Sequence, residues 1–174
     1  MIFPLFPRKA ASIATLYGMI VAQARLPVFY SIYGVPDTVD GRFELILLHL
    51  CLLLRHSDTD DAERELGQQV FDLFCRDMDQ NLREMGVGDL SVPKEMRRIG
   101  EAFYGRASAY EAALASSNTE TLRKVLARNV FGQENPEPAG AARLAAYMMD
   151  AVTLLSRQDR GAIQRGHVFF PEPV

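Results

Sequence analysis

The 174-residue sequence has no tryptophan, two cysteines and three histidines, and each scarcity removes a class of chemistry. Cys51 and Cys75 cannot supply a disulfide framework or a four-thiolate metal site. Their neighbours read as helix interior, and a reducing compartment fits them best. His49 has no second ligand three or four residues away, so it reads as a core histidine rather than a metal ligand. A haem between His49 and His56 is geometrically poor. Seven residues separate them by about 10 Å along one helix, whereas axial ligands must face each other across one iron. His56 with Asp58, Asp60 and Asp61 could be drawn as a metal cluster. The stretch has neither the length nor the glycine of a calcium loop, and it reads as a helix end followed by a cap. Gly86-Val87-Gly88 follows a helix and lacks the rest of a phosphate-binding motif. No Gly-x-Ser-x-Gly elbow occurs. Neither catalysis, metal nor cofactor is expected.

Long apolar runs are also missing. The longest, Leu45 to Leu54, contains His49 and is flanked by Glu44 and Arg55. It has half of the ~20 residues that a bilayer requires, so it reads as a buried helix. The chain opens Met-Ile-Phe-Pro-Leu-Phe-Pro-Arg-Lys, with apolar residues before the charges. A secretory signal has the reverse order, so a short irregular N-terminal arm is expected and no leader. Net charge is −3 and the isoelectric point is near 5.6, which gives no broad attraction to nucleic acid or anionic lipid.

What is present is an ordinary globular composition, 48% hydrophobic and 24% charged, in a length suited to one domain. A chain of this size buries about 70% of its unfolded surface. Ile13, Leu16, Tyr17, Ile20, Val21 and Ala24 recur at helical spacing, and this helix should stop near Leu26, before Pro27. A short turn of helix should follow, closed by Gly34. Residues 35–42, Val-Pro-Asp-Thr-Val-Asp-Gly-Arg, are dense in turn formers and read as an ordered loop. Phe43 to His56 is apolar nearly all round, as the central helix of a bundle should be. The 57–61 stretch caps a third helix, whose buried stripe runs through Leu66, Val70, Leu73, Phe74, Met78, Leu82 and Met85. Gly86 suits its left-handed cap. A fourth helix should begin near Ser91 and Pro93, with Met96, Ile99, Phe103, Ala107, Tyr110 and Leu114 inward. Asn118 starts a fifth, containing Leu122, Val125, Leu126 and Val130, that Gly132 ends, and a linker across 133–138 leads to a last helix carrying Leu144, Tyr147, Met148, Ala151, Val152 and Leu155. The expected fold is all-α: a single-domain bundle of about six helices, with a core from about 10 to 157 and a partly mobile tail over 158–174.

Charge is uneven along this bundle. Ser57 to Met85 holds nine acidic residues against three arginines, and Val92 to Phe131 holds seven basic residues against four acids. Either the two parts attract each other, or the fourth and fifth helices present a basic face to a nascent chain, a ribosome or lipid headgroups. Gly105 interrupts the fourth helix at a cost of roughly 1 kcal/mol relative to alanine. Tight helix packing or a binding surface would account for it.

Val21-Ala22-Gln23-Ala24-Arg25, Phe29-Tyr30, Gly34-Val35-Pro36-Asp37-Thr38, Gly41-Arg42-Phe43-Glu44, the stretch from Met78 to Asp89 and Phe103-Tyr104-Gly105-Arg106 resemble the ubiquinol–cytochrome c chaperone family. The likeness runs from about Tyr17 to Leu155, and Leu82–Asp89 is its most specific part. The resemblance implies a helical assembly factor rather than an enzyme. Mitochondrial members of the family assist synthesis and assembly of cytochrome b, the haem subunit of the bc1 complex, with a small partner protein at the ribosome. This chain resembles a bacterial form, expected in the cytoplasm or at the inner face of the cytoplasmic membrane. The implied partner is nascent or newly inserted cytochrome b. A ribosome, a small partner protein and peripheral membrane contact are further partners on that reading, and direct nucleic-acid binding is not. Candidate binding residues are Tyr30, Asp37, Arg42, Met85, Tyr104 and Arg106. A soluble helical adaptor for another helical protein is the alternative. A helical enzyme would instead require Glu44, Asp72 or Asp79 to converge on His49.

Overall fold

The computed structural model describes residues 6–58, 60–116, 118–133 and 138–174. In chain order these form α1 (Phe6–Ala24), α2 (Pro27–Ser31), α3 (Val39–His56), α4 (Asp61–Glu84), α5 (Val92–Ala115), α6 (Thr119–Phe131), α7 (Ala139–Ser156) and α8 (Arg160–Gln164). Six are long and two are single turns; among the described residues there is no strand, so the all-α expectation holds. The first five residues of the expected N-terminal arm and most of the 133–138 linker lie outside the described residues, as do Thr59 and Ser117; α1 already begins at Phe6, ahead of the expected core start near residue 10.

Helix α3 is the axis. From Glu44 to Leu53 every residue is buried, because the run is apolar on all sides and has no face to give to water. Helices α1, α4, α5, α6 and α7 each pack against it. They do so through the expected stripes: Leu16 and Ile20, Leu66 and Val70, Phe103 and Tyr110, Leu122 and Leu126, Leu144 and Met148. One stretch, Ala10–Ser31, is long and apolar enough by composition to cross a bilayer. It is, however, two helices broken at Leu26–Pro27, with Leu16, Ile20, Ala24 and Phe29 in the core.

Local signals placed the ends well. Asp60 accepts a hydrogen bond from Glu63 N–H and Asn118 accepts from Glu120 and Thr121 N–H, each as an N-cap. Gly34, Gly86 and Gly132 take the left-handed conformation. Two expectations were displaced. Helix α3 starts at Val39, not Phe43: Thr38 caps it by accepting from Gly41 N–H at 3.1 Å, so Asp40, Gly41 and Arg42 are its first turn. Met85 leaves the buried stripe, because α4 stops one residue earlier and its capping turn carries Met85 outward, 62% exposed.

The last segment, expected as a partly mobile tail, is instead tied to the bundle. Gln158 donates to Phe169 C=O and accepts from Phe169 N–H, at 2.7 and 2.8 Å. Gln23 donates to Pro171 C=O at 2.9 Å, and Val174 N–H donates to the Tyr33 hydroxyl. Buried Gly166 passes so close to Ser12 that a side chain would meet its backbone at 3.1 Å. Phe170 reaches the ring of His49, 5.1 Å between centroids.

His49 is wholly buried, and its hydrogen bonds fix its tautomer. Nδ1 lies 2.7 Å from Leu45 C=O, which can only accept, so Nδ1 carries the proton. Nε2 therefore accepts from the Tyr147 hydroxyl at 2.7 Å, and Tyr147 accepts in turn from Gln23 at 3.1 Å. This chain joins α1, α3 and α7, and Gln23 extends it to the C-terminal segment.

Burial lowers the His49 pKa from 6.5 to about 4, against a small opposing effect of the Leu45 carbonyl. Below pH 6.5 the unfolded chain takes up a proton that the folded chain refuses. The contribution is complete above that pH and is lost as pH falls toward 4. At ~1.4 kcal/mol per pKa unit, about 3 kcal/mol should disappear across the window. Urea unfolding between pH 7 and pH 4 measures it, and His49→Gln should flatten the slope relative to the unmutated chain. At Gly41, an added Cβ would stand 1.9 Å from Pro36 O. Gly41→Ala should therefore lower stability by roughly 2–3 kcal/mol, read as a fall in the denaturation midpoint.

Candidate functional site

The six candidate residues fall into separate neighbourhoods. Tyr30, Asp37 and Arg42 come together with Arg25, Pro27 and Ser31 around one surface cleft. The short α2 and the left-handed Gly34 turn the chain so that Val35 N–H bonds back to Phe29 C=O at 3.0 Å. That leaves Asp37 beside the first turn of α3, where it meets Arg42 at 2.7 Å. The Arg42 guanidinium holds the Asp37 carboxyl below its ordinary range. The Tyr30 hydroxyl donates to Ala24 C=O at 2.7 Å, capping the end of α1, and burial pushes its pKa up.

Tyr104 stands on α5 at the open end of an aromatic ladder. Phe71 of α4 lies 4.6 Å from Phe103 and 6.3 Å from Tyr104 between centroids, and Phe103 lies 5.3 Å from Tyr104. Phe74 and Phe43 continue the ladder back to α3. Phe103 is in the core while Tyr104 is 65% exposed. Beside them a groove runs over Leu54, Arg55, Gly67, Phe71, Phe103 and Tyr104. Gly67 lets α4 sit close on the end of α3, where a side chain would meet Leu54 at 3.0 Å. Phe71 was not singled out from the sequence; its signal was its place three residues before Phe74, beside the expected stripe.

Arg106 does not join that face. Its guanidinium makes a two-pronged pair with the buried Glu44 of α3, with Nε to Oε2 at 3.0 Å. Burial raises the Glu44 pKa while Arg106 pulls against that rise. Met85 is elsewhere again, fourteen residues beyond Phe71 and so roughly 20 Å further along α4. There the turn between α4 and α5 exposes Leu90 almost completely. Val87 N–H bonds to Leu82 C=O at 3.0 Å, and Arg83 bridges Asp79 and Asp89, which fixes the shape of that turn. Leu90 was missed because nothing near it in sequence separates an exposed leucine from a buried one.

The enzyme alternative required a convergence that the geometry lacks. Asp72 accepts from Gln68, Asp79 pairs with Arg83, Glu44 pairs with Arg106, and His49 is closed in by Leu45 and Tyr147. Among the described residues no three histidine, cysteine or acidic side chains are placed to hold a metal ion. Of the seven bases on α5 and α6, Arg98, Arg106, Arg123 and Lys124 are paired with Glu95, Glu44 and Glu120. Much of the supposed basic face is thus neutralised by its own neighbours.

Gly105 has no internal packing reason. A Cβ there would meet nothing within 4 Å. Gly105→Ala should raise stability by about 1 kcal/mol through helix propensity, measured by denaturant unfolding.

Residues 31–170 match the family model described as ubiquinol–cytochrome C chaperone. A curated relative, the ubiquinol–cytochrome-c reductase complex assembly factor 1 of Xenopus laevis, is 23% identical over 145 residues, which are 83% of this chain and 72% of that protein. The crystal structure of the Cbp3 homolog from Brucella abortus superposes with a TM-score of 0.87 at 34% identity, covering 95% of this chain and 91% of the other.

Proposed function

The chain belongs to the ubiquinol–cytochrome c chaperone family, and from that premise we propose that it serves assembly of ubiquinol–cytochrome c reductase by holding newly made cytochrome b. The role is one of holding rather than of catalysis. The observation that carries the reading is the aromatic groove between α4 and α5, with Tyr104 at its open edge. An apolar client needs such a surface: rings and aliphatic groups that replace water against its side chains, edged by groups that stay hydrated. Here Arg55, Asp58, Arg64 and Gln68 form that polar edge. Gly105, open beside Tyr104, leaves room for a client backbone to approach α5. The Tyr30–Asp37–Arg42 cleft is a second contact in this reading. Arg106 contributes by holding α5 on α3 through Glu44. The protein works at the cytoplasmic side of the membrane that receives the client.

A photocrosslinking residue at position 104 in the native host tests this. The expected capture is cytochrome b, membrane-inserted or still on the ribosome, and deletion of the gene should lower membrane cytochrome b. Capture of soluble proteins alone, with cytochrome b unchanged on deletion, would replace the chaperone by an adaptor. Tyr104→Glu should reduce capture by a crosslinker at position 108, a site exposed one turn further along α5, without changing the unfolding free energy by more than about 0.5 kcal/mol.

A further inference from the structure

Next to the aromatic groove the bundle contains a hollow of about 160 Å³, opening to the surface beside the Arg55–Glu111 ion pair. Its walls come from α3, α5 and α7: Cys51, Phe103, Ala107, Tyr110, Leu114 and Met148. We propose that it seats one phenyl-sized side chain of the protein held along the groove, a proposal that rests on the chaperone reading above.

Three features choose that occupant. The first is size. An enclosed apolar cavity of roughly 150 Å³ takes up benzene, so the volume here is that of one phenyl ring. The second is wall chemistry. Two rings and two sulfur-bearing side chains line it, and aromatic edges and soft sulfur atoms are favourable neighbours for another ring. Burial holds the Cys51 thiol protonated, its pKa pushed up to about 12, so this wall is apolar rather than ionic. The third is continuity. Leu54, Arg55 and Phe103 line both the hollow and the groove that Tyr104 borders. A chain lying in the groove thus has the opening within reach of one side chain. Arg55 and Glu111, 2.7 Å apart at the mouth, supply a cation and a carboxylate to polar groups flanking an inserted ring. A buried anchor inside a polar rim is the usual anatomy of a protein–protein contact. An ordinary core closes such a space, because walls facing a void lose their dispersion partners. Ala107, half-buried at the side, keeps it open.

Benzene titrated into the purified full-length chain is the first probe. A saturable rise in the unfolding temperature is expected, and Ala107→Leu, which fills the hollow, should abolish that rise while keeping the helical circular dichroism. If Ala107→Leu does not fold, Ala107→Val should weaken the effect by partial filling. No benzene-dependent rise, or an equal rise in the filled variant, overturns the proposal. In the host, Ala107→Leu should lower capture of cytochrome b from position 104 by about tenfold, as expected for loss of one anchoring side chain. Benzene binding with capture unaffected by the filled variant would make this a small-molecule hollow, and the proposal falls while the chaperone reading stands. Absence of cytochrome b from the unmutated chain's captures would instead bring down that reading itself.

Discussion

Between Glu44 and Leu53 helix α3 has no side that water can solvate, and most of the structure follows from having to enclose it. Five helices pack on it, and the polar groups carried inside with it must find partners there. His49 does so through Leu45 and Tyr147, and Glu44 does so through Arg106. Each solution ties α3 to a different helix, α7 in one case and α5 in the other. The same demand reaches the C-terminal segment. Its Phe170 closes over the His49 ring, and its Pro171 carbonyl accepts from Gln23, the glutamine that also donates to Tyr147.

Once α3 is enclosed, the surface is free to differ from place to place. Phe103, Tyr104, Gly105 and Arg106 are consecutive, yet helical geometry turns each about 100° from the last. Phe103 enters the core, Tyr104 faces water, Gly105 meets nothing, and Arg106 reaches Glu44. A short motif that looks uniform in sequence therefore holds a core residue, an exposed ring, an open backbone and a structural ion pair. The hollow beside Phe103 belongs to the same arrangement: it lies between α3, α5 and α7, with the small Ala107 on its wall.

Much of the fold could be read from the sequence because helix signals act over a few residues. Asn118 and Asp60 as caps, the left-handed glycines after α2, α4 and α6, and the inward stripe of α7 each depend on neighbours within about one turn. The misplaced start of α3 arose from the same kind of signal. Pro36, Asp37, Asp40 and Gly41 favour turns, but Thr38 capped the Gly41 amide and made two of those turn-like positions, Asp40 and Gly41, part of a helical first turn. Met85 shows the limit of periodicity: its place on the stripe is correct by spacing, but the helix ends before the stripe reaches it.

By itself the sequence determined that the protein is helical, where several of its helices begin or end, that the second long helix lies at the centre, and which family segments it carries. Only the tertiary structure decided which polar and aromatic residues are left for a partner. Arg106 meets Glu44 across 62 positions, His49 meets Tyr147 across 98 and Gln23 meets Pro171 across 148. Such pairs depend on how helices stack, and the residues adjacent in sequence carry no record of that stacking. Tyr104 and Arg106, two positions apart and alike as candidates, are separated by it: one remains exposed on a ring ladder, and the other is held by a buried carboxylate.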